Sequence, residues 1–267
     1  MKSRFTILAM SVFVSLWCWS QQPSGAGTPP TKAINPQNGP NICRVFFVKP
    51  KPGSASQLEQ ARQKHMQFHK RQNDTWAWNT WVIETGEDTG VYVTSTCGHA
   101  WKDFDDWEKR LGKADSADAA AGMGPFEQSS SNGFYVYRPD MSLAAPSNPP
   151  TPVTAVTIFV LHPQTQNAFE DAIKKITAAI SKQPDFPKTS GWLQLVNGGE
   201  GPTYVLLTQR QGWADFAPPA KLLPEVLTEA YGKDGADAIF KTLRESTARQ
   251  FTQTAIYRAD LSYVPAK

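Results

Sequence analysis

The sequence predicts an α+β protein in which one βαββαβ unit occurs twice. Three observations predict it. First, segments repeat in order: "VYVTSTCGHAWKDF" (91–104) aligns with "TYVLLTQRQGWADF" (203–216) at an offset of 112, pairing Tyr92 with Tyr204, Trp101 with Trp213 and Phe104 with Phe216. "GFYVYRPDMS" (133–142) aligns with "QTAIYRADLS" (253–262) at an offset of 120, so the second copy holds about eight extra residues before its last strand. Second, both copies show the same order of strand and helix patterns. Third, "VFFV" and "IFVL" are apolar on successive residues. Side chains alternate faces along a strand, so both faces of each sheet need cover.

The elements follow in order. Copy one opens with a strand over 43–49, then a helix over about 54–72, a strand over 79–85, the turn "GEDTG" and a strand over 91–97. A helix starts near Trp101, and a strand over 133–138 closes the copy. Copy two reads strand 156–162, helix 166–182, strand 191–196, turn "NGGEGP", strand 203–208, helical patterns across 213–250 and strand 253–258. This is the split-βαβ pattern of a ferredoxin-like module, written twice. Helices cover one sheet face, and the other copy's sheet, packed face to face, is the natural cover for the second.

That arrangement resembles the dimeric α+β barrel superfamily, fused in tandem so that one chain supplies both halves over roughly 42–263. The strand–"W-x-D-F" junctions, Trp101 to Phe104 and Trp213 to Phe216, are similar to the tryptophan that opens the second helix in antibiotic-biosynthesis monooxygenase-type members. The resemblance implies a pseudo-dimeric α+β barrel and an oxidoreductase of the monooxygenase type as one activity. That group often carries a histidine further along this helix, and neither copy has one.

The ends and joints divide the chain into a signal peptide (1–20), a Pro/Gly/polar tether (21–41), a first module (42–142), a linker (143–154) and a second module (155–263). Lys2 and Arg4 precede an apolar run from Phe5 to about Trp19, with cleavage expected near Ser20. The rivals are a lipid anchor on Cys18 and an uncleaved anchor. Export predicts a periplasmic or secreted protein with no membrane span after cleavage. Net charge is +3, of which Lys2 and Arg4 supply two, so the remainder has no footprint for nucleic acid. An intramolecular pseudo-dimer predicts a monomer.

Cys43 starts strand one and Cys97 ends strand three. Those strands are antiparallel neighbours in the expected fold, so the two thiols can bridge, as an oxidising compartment favours.

The same topology gathers His65, His69, His99, Trp76, Trp78 and Trp101 at the end that carries the cysteines. At an offset of 111, His65 and His69 match Ile176 and Ile180, which belong to an apolar helical stripe. A buried imidazole needs partners, so copy one has polar demands there that copy two lacks. Three readings stand: histidines bonded to backbone or water; a pocket for a small apolar or aromatic ligand, walled by Trp76, Trp78, Trp81 and Trp101; and a metal on His65, His69 and His99. Metal and cofactor are not the expected outcome, since "HMQFH" lacks the glutamate of the metalloprotease helix. The acids of "DFDDWEKR" read as helix-start residues, and Tyr137–Arg138 and Tyr257–Arg258, present in both copies, as packing or ion pairs. A purely structural or interaction role is the remaining alternative.

Overall fold

The computed structural model describes residues 41–265 apart from 146 and 148, so the expected signal peptide and nearly all of the tether lie outside the described residues. The first half contains β1 (Ile42–Pro50), α1 (Ala55–Arg71), β2 (Asn79–Thr85), β3 (Tyr92–His99), α2 (Trp101–Trp107), α3 (Lys113–Gly122) and β4 (Glu127–Tyr137). The second contains β5 (Val153–Leu161), α4 (Gln166–Ser181), β6 (Ser190–Asn197), β7 (Thr203–Arg210), α5 (Leu223–Ser246) and β8 (Thr247–Tyr257).

The eight strands form one closed antiparallel barrel in the order β1-β3-β2-β8-β5-β7-β6-β4. Each half contributes four strands in the same neighbour order. The halves do more than stack face to face: their edges bond. β2 pairs with β8, placing Trp81 opposite Tyr257, and β4 pairs with β6, placing Tyr135 opposite Leu195. Closure leaves no free strand edge in the barrel, which removes the usual template for edge pairing.

Period-two alternation sorts the side chains. Val45, Ile83, Val156, Leu193, Val205 and Ala255 face the barrel interior. Outward residues of the second half, including Trp192 and Tyr204, pack against Phe169, Ile173, Ile176 and Ile180 of α4 and Val226 and Leu227 of α5. Burying each such aliphatic side chain contributes about 1.5–3 kcal/mol.

The recurring Tyr–Arg pairs tie the halves together. Arg258, after β8, donates to Glu59 of α1 at 2.6 and 3.0 Å, and Tyr92 donates to the same carboxylate at 2.7 Å. Arg138, after β4, donates to Glu170 of α4 at 2.5 and 2.7 Å, joined by Tyr204 at 2.6 Å. Each first helix is thus clamped by the last strand of the other half.

The W-x-D-F motif has a local role. The Asp103 carboxylate accepts the Ala100 N–H at 2.8 Å, and Asp215 accepts the Gln211 N–H at 2.7 Å. In the second half, Pro218 and Pro219 then stop the turn, because proline has no N–H to continue it. The chain restarts as α5 at Leu223, which accounts for much of the extra length.

Cys43 and Cys97 form the expected disulfide, with Cα atoms 4.0 Å apart. It closes a 54-residue separation and contributes about 4 kcal/mol by chain entropy. Nearby, β3 carries one extra residue: Ile42 pairs with His99 but Arg44 pairs with Thr96. Gly98 has φ +84°, which glycine adopts without a Cβ clash, and supplies the bulge. Val93, Ser95 and Cys97 line the interior. The bulge breaks that alternation and turns His99 outward.

Candidate functional site

Two regions carry chemistry. The first is the barrel interior, a cavity of about 590 Å³. That lies within the usual range for small-molecule pockets, about 300–1,000 Å³. Its walls are mostly apolar: Val45, Phe47, Trp81, Ile83, Val93, Tyr135, Val156, Ile158, Leu193, Val205 and Leu207. The cavity reaches from Asn41, Ala77 and Ala145 at one end to Thr203 and Phe251 at the other. Polar side chains stand among the lining residues, including Asn79, Asp88, Ser95, Thr154, Gln209 and Gln253. Asn79 accepts from the Tyr257 hydroxyl at 3.2 Å. The Trp81 indole N–H is buried and has no hydrogen-bond partner among the described residues. Burial pushes the Tyr135 phenol up, which keeps it a neutral hydroxyl. The disulfide also lines this space.

The second region lies outside the barrel, where α1 meets α3. His65 and His69 sit one turn apart on the buried face of α1. His65 Nδ1 lies 2.8 Å from Asp118 Oδ2, and its Nε2 lies 3.3 Å from Asp115 Oδ1. His69 Nδ1 lies 3.0 Å from Asp74 Oδ2, and its Nε2 lies 3.3 Å from the same Asp115 oxygen. Asp74 is fully enclosed. It accepts from the Trp78 indole at 2.8 Å, Arg110 at 3.0 Å and the Trp76 backbone N–H at 3.3 Å. Burial alone would raise the Asp74 pKa, but the hydrogen bonds from His69, Trp78, Arg110 and Trp76 outweigh it and hold the carboxyl well below its ordinary range. A π-helical segment, Glu108–Gly112, joins α2 to α3 and carries Arg110.

The sequence-expected residues therefore divide. His65 and His69 share the outer cluster, with Trp78 against His69 at 5.1 Å between ring centres. His99 lies beside that cluster. Its ring stacks on Trp76 at 3.7 Å, and its Nε2 meets the Thr96 hydroxyl at 2.6 Å. Burial lowers its pKa to about 4, so the ring is neutral at neutral pH. Trp81 lines the barrel. Trp101 is 40% exposed and packs on Phe134 at the surface. His65, His69, His99, Trp76 and Trp78 thus share one end of the first half, linked through Trp76 and Trp78, while Trp101 lies at the surface and, of the seven, only Trp81 lines the cavity. The metal set also changes. His65, His69 and Asp115 converge within 4.8 Å, and His99 is not among them.

Sequence reasoning missed Asp74, Asp115, Asp118 and Arg110. Asp115 and Asp118 are three apart on a helix, a spacing that shares a face, but many exposed helices show it.

Comparison with solved structures agrees with this geometry. An anthrone oxidase-like protein superposes with a TM-score of 0.53 at 13% identity, over 88% of this chain and 97% of its own. A candidate monooxygenase from Fusobacterium nucleatum subsp. nucleatum gives 0.53 at 12% identity, over 81% and 91%. Another, from Lactobacillus acidophilus NCFM, gives 0.50 at 7% identity, over 84% and 96%. The fold is that of the dimeric α+β barrels. No family model matches the chain, and no curated protein sequence matches it. Among the described residues, no helix is long and apolar enough to cross a membrane.

Proposed function

We propose that this protein binds a small apolar or aromatic ligand inside the barrel. One observation carries the reading: the inward faces of eight strands leave about 590 Å³ of mostly apolar space instead of filling it. Polar side chains of the lining, among them Ser95 and Thr154, supply donors for a carbonyl or hydroxyl oxygen of the ligand. The test is calorimetric titration with 1-naphthol, a fused-ring aromatic that carries one such oxygen. Binding at one equivalent is expected, weakened about tenfold or more by Ala255→Leu, which extends into the cavity. No binding, or equal binding by the variant, would sink the reading.

Export belongs to the same proposal. The basic-then-apolar N-terminus, the expected cleavage near Ser20 and the Cys43–Cys97 disulfide suit a periplasmic or secreted protein. The shared strand order of the halves, with the sequence repeat, supports two tandem ferredoxin-like modules, 42–142 and 155–263 around the linker 143–154. Barrel closure within one chain supports a monomer. The near-neutral mature charge speaks against nucleic acid as a partner.

A second reading is an oxidoreductase of the monooxygenase type. The names of the similar structures favour it, and so does the shared Asp115 oxygen between His65 and His69. Those histidines would act outside the barrel, since neither lines its cavity. A purely structural role sits poorly with so much space in the lumen.

A further inference from the structure

The cluster on α1 and α3 has a feature that hydrogen bonding alone leaves unexplained. Asp118 and Asp74 are carboxylates facing His65 Nδ1 and His69 Nδ1 at 2.8 and 3.0 Å. A carboxylate accepts, so each Nδ1 carries its proton and donates. In the neutral imidazole this leaves the lone pair on Nε2. Both Nε2 atoms then face one oxygen, Asp115 Oδ1, at 3.3 Å. That oxygen is buried and accepts no hydrogen bond. With both rings in that tautomer, two lone pairs crowd an anionic oxygen. Such an arrangement is repulsive unless a cation, a proton on Nε2 or a metal ion, stands between them.

We propose that His65 Nε2, His69 Nε2 and an Asp115 carboxylate oxygen hold one divalent first-row transition-metal ion. The distances fit. Metal bonds of about 2.1 Å put neighbouring ligand atoms about 3.0–3.4 Å apart, from octahedral to tetrahedral geometry. The Asp118 and Asp74 contacts are the outer partners that fix histidine tautomer and ring direction at metal sites. Asp74 is itself held by Trp78 and Arg110, so the His69 ring is anchored through a second layer. Charge points the same way. Among the described residues, the ion-pair partners of Asp115 and Asp118 are these histidines alone, while Arg44 and Arg62 stand further off. Asp115 keeps 17% of its side chain exposed, and His65 and Asp118 line a cleft between α1 and α3. Water or a substrate can therefore reach the ion at the positions that three protein ligands leave open. Two imidazoles and one carboxylate suit Zn²⁺, Fe²⁺ or Mn²⁺. The inference does not depend on the barrel holding a ligand.

The test uses the untagged chain, stripped with chelator and titrated with Co²⁺ under visible spectroscopy, then with Zn²⁺ and Mn²⁺ by calorimetry. One equivalent is expected, with Co²⁺ ligand-field bands of a nitrogen–oxygen site. Asp115→Asn and His65→Gln should weaken Zn²⁺ binding roughly 100-fold or more, and Asp118→Asn about 10-fold. His162→Gln, at an exposed loop, should change nothing. A wild-type chain that takes up no stoichiometric metal overturns the proposal, and that result stands whether or not any variant folds. So does an Asp115→Asn variant that stays folded by circular dichroism and binds equally well, or a loss of binding in His162→Gln.

Discussion

In α4, Phe169, Ala172, Ile173, Ile176 and Ile180 pack against α5, which answers with Val226, Leu227, Ala236 and Ile239. In α1, the matching face carries His65 and His69, and α3 answers with Asp115 and Asp118 while burying no residue of its own. The same helix pair in the same fold is joined by dispersion in one half and by charge in the other. The contrast extends to the strands. Cys43 and Cys97 are bonded in the first half, while Thr154 and Gln209, the corresponding cross-strand neighbours, line the cavity in the second. An apolar interface needs only shape and volume. A buried polar one needs every partner present, so it is kept where it does something that packing cannot.

The comparison can be broken most sharply at Asp74. Asp74→Ala leaves His69, the Trp78 indole and Arg110 without their shared acceptor, and about 3–5 kcal/mol of stability should be lost in urea unfolding. A loss under about 1 kcal/mol would mean the network is dispensable. A smaller effect comes from transplanting the second half's solution. His65→Ile with His69→Ile should cost about 3 kcal/mol, because Asp74, Asp115 and Asp118 lose their histidines. Adding Asp115→Ala and Asp118→Ala should recover most of it, and failure to recover would show that the halves differ in backbone as well as in side chains.

The smallest effect tests what the halves share. Arg258 first, then Tyr92, outweigh burial and lower the Glu59 pKa below its ordinary 4.5. Burial pushes Glu170 up, but Arg138 and Tyr204 more than offset it, so its pKa also lies below 4.5. A carboxyl whose folded pKa is lowered stabilises fully above its unfolded value and loses that contribution as pH falls through the folded value. Unfolding stability should therefore decline below about pH 4.5. Glu59→Gln and Glu170→Gln should each flatten that decline, Glu170→Gln more, because Glu170 is the more enclosed. Equal pH slopes in wild type and variants would show that the clamps do not govern acid unfolding.

Much of this was legible in the chain. The repeat placed six strands to within three residues and the closing strands, β4 and β8, six residues late at their starts, set Cys43 beside Cys97 and marked His65 and His69 as occupants of a core stripe. The partners of those histidines were not legible. Asp115 and Asp118 follow the π-helical segment, in the stretch between the aligned blocks that end at 104 and resume at 133. Asp74 lies in the short connection after α1, where an acid reads as a turn residue. His99 was expected with the other two. One bulge residue, Gly98, turned it onto Trp76, beside the cluster but away from the shared Asp115 oxygen.

The sequence by itself determined the order of elements, the recurrence of matched segments and the need for cover on both faces of the sheet. These follow from local periodicity, since a backbone of given geometry sends alternate side chains to opposite faces. Only the tertiary structure decided that the sheet edges close, that the lumen keeps space and that two histidines meet at one carboxylate oxygen. Those outcomes depend on register, twist and helix phase accumulated over the whole barrel, where a single extra residue redirects a side chain.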